Sequence, residues 1–478
     1  MTSVPRLLLP LLFLNVASVA DQPNIILINI DDLGYGDVGP FGSTENKTPH
    51  LDRMAAEGRL LKSHYAAPVC SPSRASLMTG CYPKRAMPIS HVLFPSSAVG
   101  LNPEEVTVAE LLQSVGYKTA CIGKWHLGDQ PEFLPTRQGF EYYFGLPYSN
   151  DMGTIADGAK SNPGQPLPQP RNENPQPIQE DGIRGNNQPP LPLLENEKVI
   201  ERVKAAEQTT ITQRYTEKAV DYINDHANET FFLYLPHSAV HFPLYPGRQF
   251  RGKSGNGLFS DWVQEVDWAV GQVLDAVRTR KLEQKTLVIF TSDNGGSIRH
   301  GSNNAPLRGG KGSTLEGGIR VPAIAWWPGQ VSAGTATNAM TSTMDILPTF
   351  AELAGANVPT DRTLDGMNIW SVIVGDGAGP RNEFFYFRSM NLQAVRKGPW
   401  KLHLAKSELF NLRSDIGEAK NVAADHADVV ATLRAMADAM NKDLGEQGIG
   451  PNCRPVGRVN NPQPLIHLNG TVRAGFTP

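Results

Sequence analysis

The chain has 478 residues, with 44 Lys and Arg against 47 Asp and Glu and a formal net charge of -3. That balance excludes a general attraction to nucleic acid or anionic membrane, so any anion this protein binds must be held by a local cluster of cations. The length predicts one large domain with a smaller companion, and four cysteines are too few for a disulfide scaffold.

Residues 1–20 carry one early cation, Arg6, an apolar run from Leu7 to Leu14, and then Ala17-Ser18-Val19-Ala20. This pattern predicts a secretory signal peptide cut after Ala20, the apolar run being well short of the ~20 residues a spanning helix needs. No later stretch is long and apolar enough to span a bilayer. The mature protein is therefore expected without a transmembrane segment, in a periplasm, outside the cell or, in a eukaryote, in a lysosome.

Asn24 to Ile30 reads as a buried strand, and Asp31-Asp32 follows it directly. Two adjacent carboxylates at a strand end are costly unless a cation neutralises them. Cys70-Ser71-Pro72-Ser73-Arg74 then reads as a helix start, with Ser71 as cap, Pro72 at the first helical position and Gly80 closing the helix. Residue 70 would sit at the helix's positive end, where unpaired N–H groups favour an anionic reacting group.

A helix over Val106 to Val115 and a strand over Lys118 to Ile122 lead into Gly123-Lys124-Trp125-His126. Two residues apart in extended chain, Lys124 and His126 would point to the same side. Residues 157–195, dense in Pro, Asn, Gln and Gly, read as a Pro-rich surface insert. After a helix over Thr209 to His226, the strand Phe231 to Leu235 ends in two candidate histidines, His237 and His241. A helix over Phe259 to Arg278 precedes the strand Leu287 to Thr291, which ends in Ser292-Asp293-Asn294-Gly295. Three carboxylates and an amide oxygen at matching strand ends suit Ca²⁺ or Mg²⁺ better than zinc, which draws on His or Cys. Leu307 to Arg320 offers Lys311 on a glycine-rich backbone free to approach a ligand closely, and Ala323 to Trp326 reads as another strand.

Strands alternating with helices predict an α/β sheet covered on both faces, with the chemistry at the carboxyl ends of the strands. From about residue 380 the texture changes to short strands around Phe384 to Phe387, Leu392 to Val395, Trp400 to Leu404 and Leu409-Phe410, followed by a helix over Asp425 to Leu444. This suits a smaller antiparallel sheet with one helix. The boundaries are therefore placed at 21–379 for a catalytic domain and 380–478 for a C-terminal subdomain.

In their order, Asp31-Asp32, the Cys70 motif, Gly123-Lys124-Trp125-His126, Pro147-Tyr148-Ser149, Val240-His241-Phe242-Pro243, Ser292-Asp293-Asn294-Gly295 and Gly310-Lys311-Gly312 resemble the motif set of type I, formylglycine-dependent sulfatases. The branch they resemble contains arylsulfatase A and N-acetylgalactosamine-6-sulfatase. The resemblance implies an alkaline-phosphatase-like α/β fold with a smaller C-terminal antiparallel sheet and helix. It also implies that a formylglycine-generating enzyme converts Cys70 to formylglycine (3-oxoalanine), whose hydrate is the nucleophile. Asp31, Asp32, Asp293, Asn294 and modified Cys70 would hold one divalent cation, Ca²⁺ or else Mg²⁺. Arg74, Lys124 and Lys311 would hold sulfate oxygens or the hydrate, and His126 would orient the hydrate. Ser149 matches a site serine, and His241, rather than His237, matches the acid that protonates the leaving oxygen. The expected activity is hydrolysis of sulfate monoesters, either aryl sulfates or sulfated sugars. The alternatives are a formylglycine-dependent phosphodiesterase or phosphonate monoester hydrolase, which shares the tetrahedral geometry, and an exported glycan-binding protein without turnover.

Overall fold

The run Asn24–Ile30 has no solvent face, all seven residues being buried, as expected of a strand with helices on both sides. In the computed structural model, which describes residues 22–169, 180–186, 188–375 and 377–478, this strand lies between Phe231–Pro236 and Thr286–Ser292 and pairs with both in parallel. Lys118–Ile122 extends the parallel run beyond Phe231–Pro236, and Tyr142–Gly145 follows. On the opposite side Ala323–Trp326 runs antiparallel between Thr286–Ser292 and Arg59–Tyr65. Among the described residues this mixed sheet has 11 strands.

Alternation along the central strand sorts its side chains between two cores. Ile26, Ile28 and Ile30 pack with Met54, Tyr215 and Val266 from the helices Pro49–Glu57, Ile211–Asp225 and Leu258–Thr279. Ile25 and Leu27 share the other core with Leu77, Leu112 and Phe350 from Cys70–Thr79, Val108–Ser114 and Ile346–Ala354. Pairing sets Ile30 opposite Ser292 and Asn29 opposite Pro236. Three neighbouring parallel strands thus end at one level, and whatever follows each of them meets at one edge of the sheet.

The C-terminal subdomain is a four-stranded antiparallel meander, Glu383–Arg388, Asn391–Lys397, Trp400–His403 and Glu408–Asn411. The helix Ala427–Leu444 closes its core through Leu433, Ala437 and Leu444. The chain then leaves this unit. Gly457–Arg458 pairs with Val99–Gly100, and Leu465, Ile466 and Phe476 enter the core shared with Ile25 and Leu27. The last stretch of the expected 380–478 unit therefore packs on the large domain, drawn there by apolar residues too sparse to read as an element.

Two further expectations change. The span 157–195 is not all surface: Leu191–Glu195 is a strand whose first four residues are buried, pairing with Tyr142–Gly145 and with Lys198–Val203 at the sheet's edge. The prolines around it hid a run whose leucines pack inward, while residues 170–179 lie outside the described residues. The helix after Val69 begins at Cys70 itself, so Ser71 is not its cap; the Ser71 hydroxyl instead accepts from the Leu93 N–H at 3.1 Å. Gly80 does close that helix in a left-handed conformation, φ 68°. All four cysteines are free thiols. The expected signal peptide falls outside the described residues, and among those described no helix is long and apolar enough to cross a membrane.

Candidate active site

The sheet edge gathers the predicted residues because the backbone that leaves each strand is tied to its neighbour. The Asp293 N–H donates to the Ile30 carbonyl at 3.0 Å, and the Asp31 N–H to the Ala239 carbonyl at 2.8 Å. Asp31, Asp32 and Asp293 are at most 2 % exposed. The Asn294 amide donates to Asp32 Oδ1 at 2.8 Å, while Asn294 Oδ1 is buried without a hydrogen-bond partner. Gly295 is required here, since a Cβ would stand 1.9 Å from the Gly317 carbonyl oxygen.

Cys70 opens its helix beneath this edge, and Arg74, one turn later, lies on the same face. Cys70 Sγ is 3.3 Å from Asp31 Oδ1 and 3.7 Å from the Lys311 ammonium. Arg74 spends its fork on structure: Nε and Nη2 donate to Asp293 Oδ2 at 3.0 and 2.9 Å, and Nη1 donates to the Lys124 carbonyl. Lys311 reaches Asp32 at 2.7 Å. Its loop is pinned by Lys311 N–H to the Gly296 carbonyl at 3.1 Å and by Gly312 N–H to the Pro68 carbonyl at 2.8 Å.

Lys124 arrives from the strand Lys118–Ile122 through Gly123, whose φ of 140° and approach to the Pro236 carbonyl leave no room for a side chain. Its ammonium donates to Asp31 and, at 3.2 Å, to the Ser149 hydroxyl. Ser149 Oγ is in turn 3.3 Å from His241 Nδ1. His241 Nδ1 also lies 2.5 Å from the Phe242 carbonyl, and Nε2 faces Asp32 at 3.8 Å. With Nδ1–H on that carbonyl, Nε2 is the nitrogen turned toward the carboxylates. His126 is anchored through Nε2 to the Leu93 carbonyl at 2.9 Å, and its buried Nδ1 has no hydrogen-bond partner. His237 does not join the site. Fully buried with neither ring nitrogen hydrogen-bonded, it packs 6.1 Å from the Tyr215 ring.

Charges decide the protonation states at this edge. Burial alone would raise the Asp31 carboxyl, but Lys124, His241, Arg74 and Lys311 overcome it and hold the group well below the usual carboxylate range. Asp293 is pushed up to about 6 by burial and by Asp31 beside it. Burial disfavours the charge on Lys311 and on Lys124, yet Asp32 and Asp31 respectively keep them protonated. His126 is driven well below its ordinary range by burial and then by Lys124 and Arg74, leaving a neutral ring with a free Nδ1 lone pair. Burial, reinforced by Asp31, raises the Cys70 thiol well above its usual range, so unmodified Cys70 is a poor nucleophile.

The oxygen donors at this edge, the Asp31, Asp32 and Asp293 carboxylates and Asn294 Oδ1, suit a hard divalent cation. Asp31, Asp32, Cys70 and His241 each offer an atom within 4.8 Å of the others, with the orphaned Asn294 Oδ1 and the Asp293 carboxylate at the same strand end. Sequence reasoning missed His300, whose ring stacks on Phe242 at 4.6 Å beside the site, and the Leu93 carbonyl that orients His126. Neither carries a local signal: each is defined by a partner far away in the chain.

Known proteins agree with this geometry. Residues 23–356 match the Sulfatase family and residues 311–443 match the family described as N-sulphoglucosamine sulphohydrolase, C-terminal. The chain is 40 % identical over 399 residues to arylsulfatase A of Bos taurus, covering 81 % of this chain and 75 % of that one. It is 36 % identical over 480 residues to N-acetylgalactosamine-6-sulfatase of Mus musculus, covering 93 % and 86 %. Among solved structures, Ps i-CgsB in complex with k-i-k-neocarrahexaose superposes with a TM-score of 0.75 at 31 % identity, over 90 % of this chain and 95 % of that one. A match over most of the chain, with carboxylates and cations converging on one strand edge, places it in the sulfatase family as an enzyme that hydrolyses sulfate esters.

Proposed function

We propose that this enzyme cleaves sulfate monoesters of sugars or aryl alcohols through formylglycine at position 70, in an exported protein whose Cys70 is converted by a formylglycine-generating enzyme. The reading is carried by the placement of Cys70, at a helix start, between the Asp31 carboxylate and the Lys311 ammonium. Converted residue 70 would supply a geminal-diol nucleophile, and a Ca²⁺ (or Mg²⁺) held by Asp31, Asp32, Asp293, Asn294 and residue 70 would offset negative charge on the sulfuryl group.

The chain's own residues then divide the work. Lys124 and Lys311, both charged, would hold sulfate oxygens and stabilise charge that grows in the transition state. Arg74 has each of its three nitrogens bonded to Asp293 or Lys124, so it fixes those two residues and contributes its field. His126, kept neutral by burial and its cationic neighbours with Nδ1 free, is suited to accept a hydrogen bond from the residue-70 hydrate and so orient it. Burial and then Lys311 lower His241 against the pull of Asp32 and Asp31; when protonated it would present Nε2–H to the departing ester oxygen while Nδ1–H stays on the Phe242 carbonyl, with Ser149 bridging it to Lys124.

Peptide mass spectrometry of the active protein tests the nucleophile: residue 70 should carry the aldehyde or its hydrate, and Cys70→Ala should abolish sulfate release while leaving the melting temperature nearly unchanged. A thiol at residue 70 in fully active protein would refute the assignment. Faster turnover of phosphate or phosphonate esters than of the matched sulfate esters would instead favour the phosphohydrolase reading.

A further inference from the structure

The loop that delivers Lys311 is held from outside the catalytic domain. Five residues after Lys311, Glu316 begins the short helix Glu316–Ile319 and is wholly buried. Its carboxylate collects Tyr65 Oη at 2.5 Å, Tyr386 Oη at 3.0 Å and the Lys401 ammonium at 2.9 Å. Tyr386 and Lys401 belong to the C-terminal sheet. The same Lys401 ammonium lies 2.9 Å from Glu418 Oε1. Glu418 in turn accepts the Glu316 N–H at 2.8 Å through Oε2, the Arg308 guanidinium at 2.9 Å through its carbonyl and His403 Nε2 at 2.7 Å. Both ends of the segment 308–316 are thus tied to Glu418, Arg308 through the backbone carbonyl and Glu316 through the carboxylate, with Lys401 bridging Glu316 and Glu418, while its middle reaches the Cys70 sulfur.

We propose that Lys401 and Glu418 of the C-terminal subdomain are positioning residues for catalysis, fixing the Arg308–Glu316 loop so that the Lys311 ammonium stands over residue 70. Three observations support a dedicated role. Lys401 and Glu418 are 0 % exposed. The network is charged, and a buried Glu–Lys–Glu cluster is seldom more stabilising than apolar residues of similar volume, so stability alone does not account for it. Against the cost of burial, Lys401, Arg320 and Arg396 hold Glu316 down at about 2, which keeps it an acceptor for all its donors. The loop's flexible glycines, Gly309, Gly310 and Gly312, need such anchors, because a lysine on unconstrained backbone would lose the geometry that transition-state binding demands.

The inference rests on the sulfate-binding role proposed for Lys311, and its test separates the two. Lys401→Met, Lys311→Ala and the double variant would be assayed on one sulfate ester, with hydrogen exchange of the peptide spanning 308–318 read by mass spectrometry. Lys401→Met is expected to lower kcat/KM about 10–100-fold, the range found when groups that orient a site residue are removed. Exchange in 308–318 should accelerate, and the double variant should fall within about twofold of Lys311→Ala, because the two substitutions damage one interaction. Glu418→Gln and Tyr386→Phe give the same readouts at smaller perturbation should Lys401→Met not fold. Unchanged kcat/KM in folded protein, losses that multiply in the double variant, or unchanged exchange in 308–318 would each overturn the proposal. Full activity in Lys311→Ala would refute the sulfate-binding role itself, and peptide exchange would still report whether Lys401 holds the loop.

Discussion

Replacing His241 by Ala tests the chemistry most sharply, because the structure sets it beside a second histidine of opposite character. The His241 side chain is 13 % exposed at the site, with Nε2 3.8 Å from Asp32. His237, four residues earlier, is sealed in the core with neither ring nitrogen hydrogen-bonded. General-acid help is worth about 10²–10⁴-fold, or about 2.7–5.5 kcal/mol of barrier, when the leaving oxygen is strongly basic. A nitrophenolate departs readily without a proton. His241→Ala should therefore cut kcat for a sugar sulfate by about 10²–10⁴-fold and for nitrophenyl sulfate by about tenfold or less. His237→Ala should lower stability by about 2–5 kcal/mol, as large-to-small core substitutions do, with equal proportional effects on both esters. Single-turnover rates on the two esters, with melting curves for both variants, provide the measurement. An equal loss on both substrates in His241→Ala, or a leaving-group-dependent loss in His237→Ala, would refute the choice of acid.

Chelation should abolish activity and lower the melting temperature, since a cation that binds only the folded protein stabilises it by mass action. Ca²⁺ should restore both, while Asp293→Ala should stay inactive after re-addition; full activity in protein shown to be free of divalent metal would contradict the ligand set. Glu265, buried on the helix Leu258–Thr279 with the Gly247 N–H as its donor at 2.6 Å, is pushed by burial from 4.5 up to about 8. The folded state keeps a proton that the unfolded chain releases, so this contribution to stability is full below about 4.5 and lost as pH rises through about 8. Glu265→Gln should consequently gain about 3 kcal/mol on wild type between about pH 5 and about pH 7.5. Melting curves at both pH values check this, and an identical shift at the two would show that Glu265 does not titrate as argued.

Most of the candidate site residues were legible in the sequence because they sit just past the end of a strand or near the start of a helix. Such places have local signatures: an apolar run that stops, then Asp31-Asp32 or Asp293-Asn294, or a glycine-bracketed Lys311. A strand such as Asn24–Ile30 is recognisable because it is buried on both faces and carries an unbroken apolar run. Legibility failed where packing, rather than local pattern, made the choice. Leu191–Glu195 is a strand despite its prolines, because its leucines find a sheet edge. Ser71 gave up the cap expected of it and bonds Leu93, which no neighbour in sequence announces.

Sequence alone thus determined the family resemblance, the candidate ligand and cation residues and the alternation of strands with helices, since these depend on residue type and on spacing within one element. Tertiary structure alone decided which groups face each other. Parallel register brought Ile30 level with Ser292 and so joined Asp32 to Asn294, 262 residues away in the chain. It separated His241 from His237 by burial, engaged Arg74 with Asp293, and placed Lys401 under the Lys311 loop. Those outcomes depend on distances between segments remote in the chain, which are fixed only when the two cores close and the C-terminal sheet docks against them.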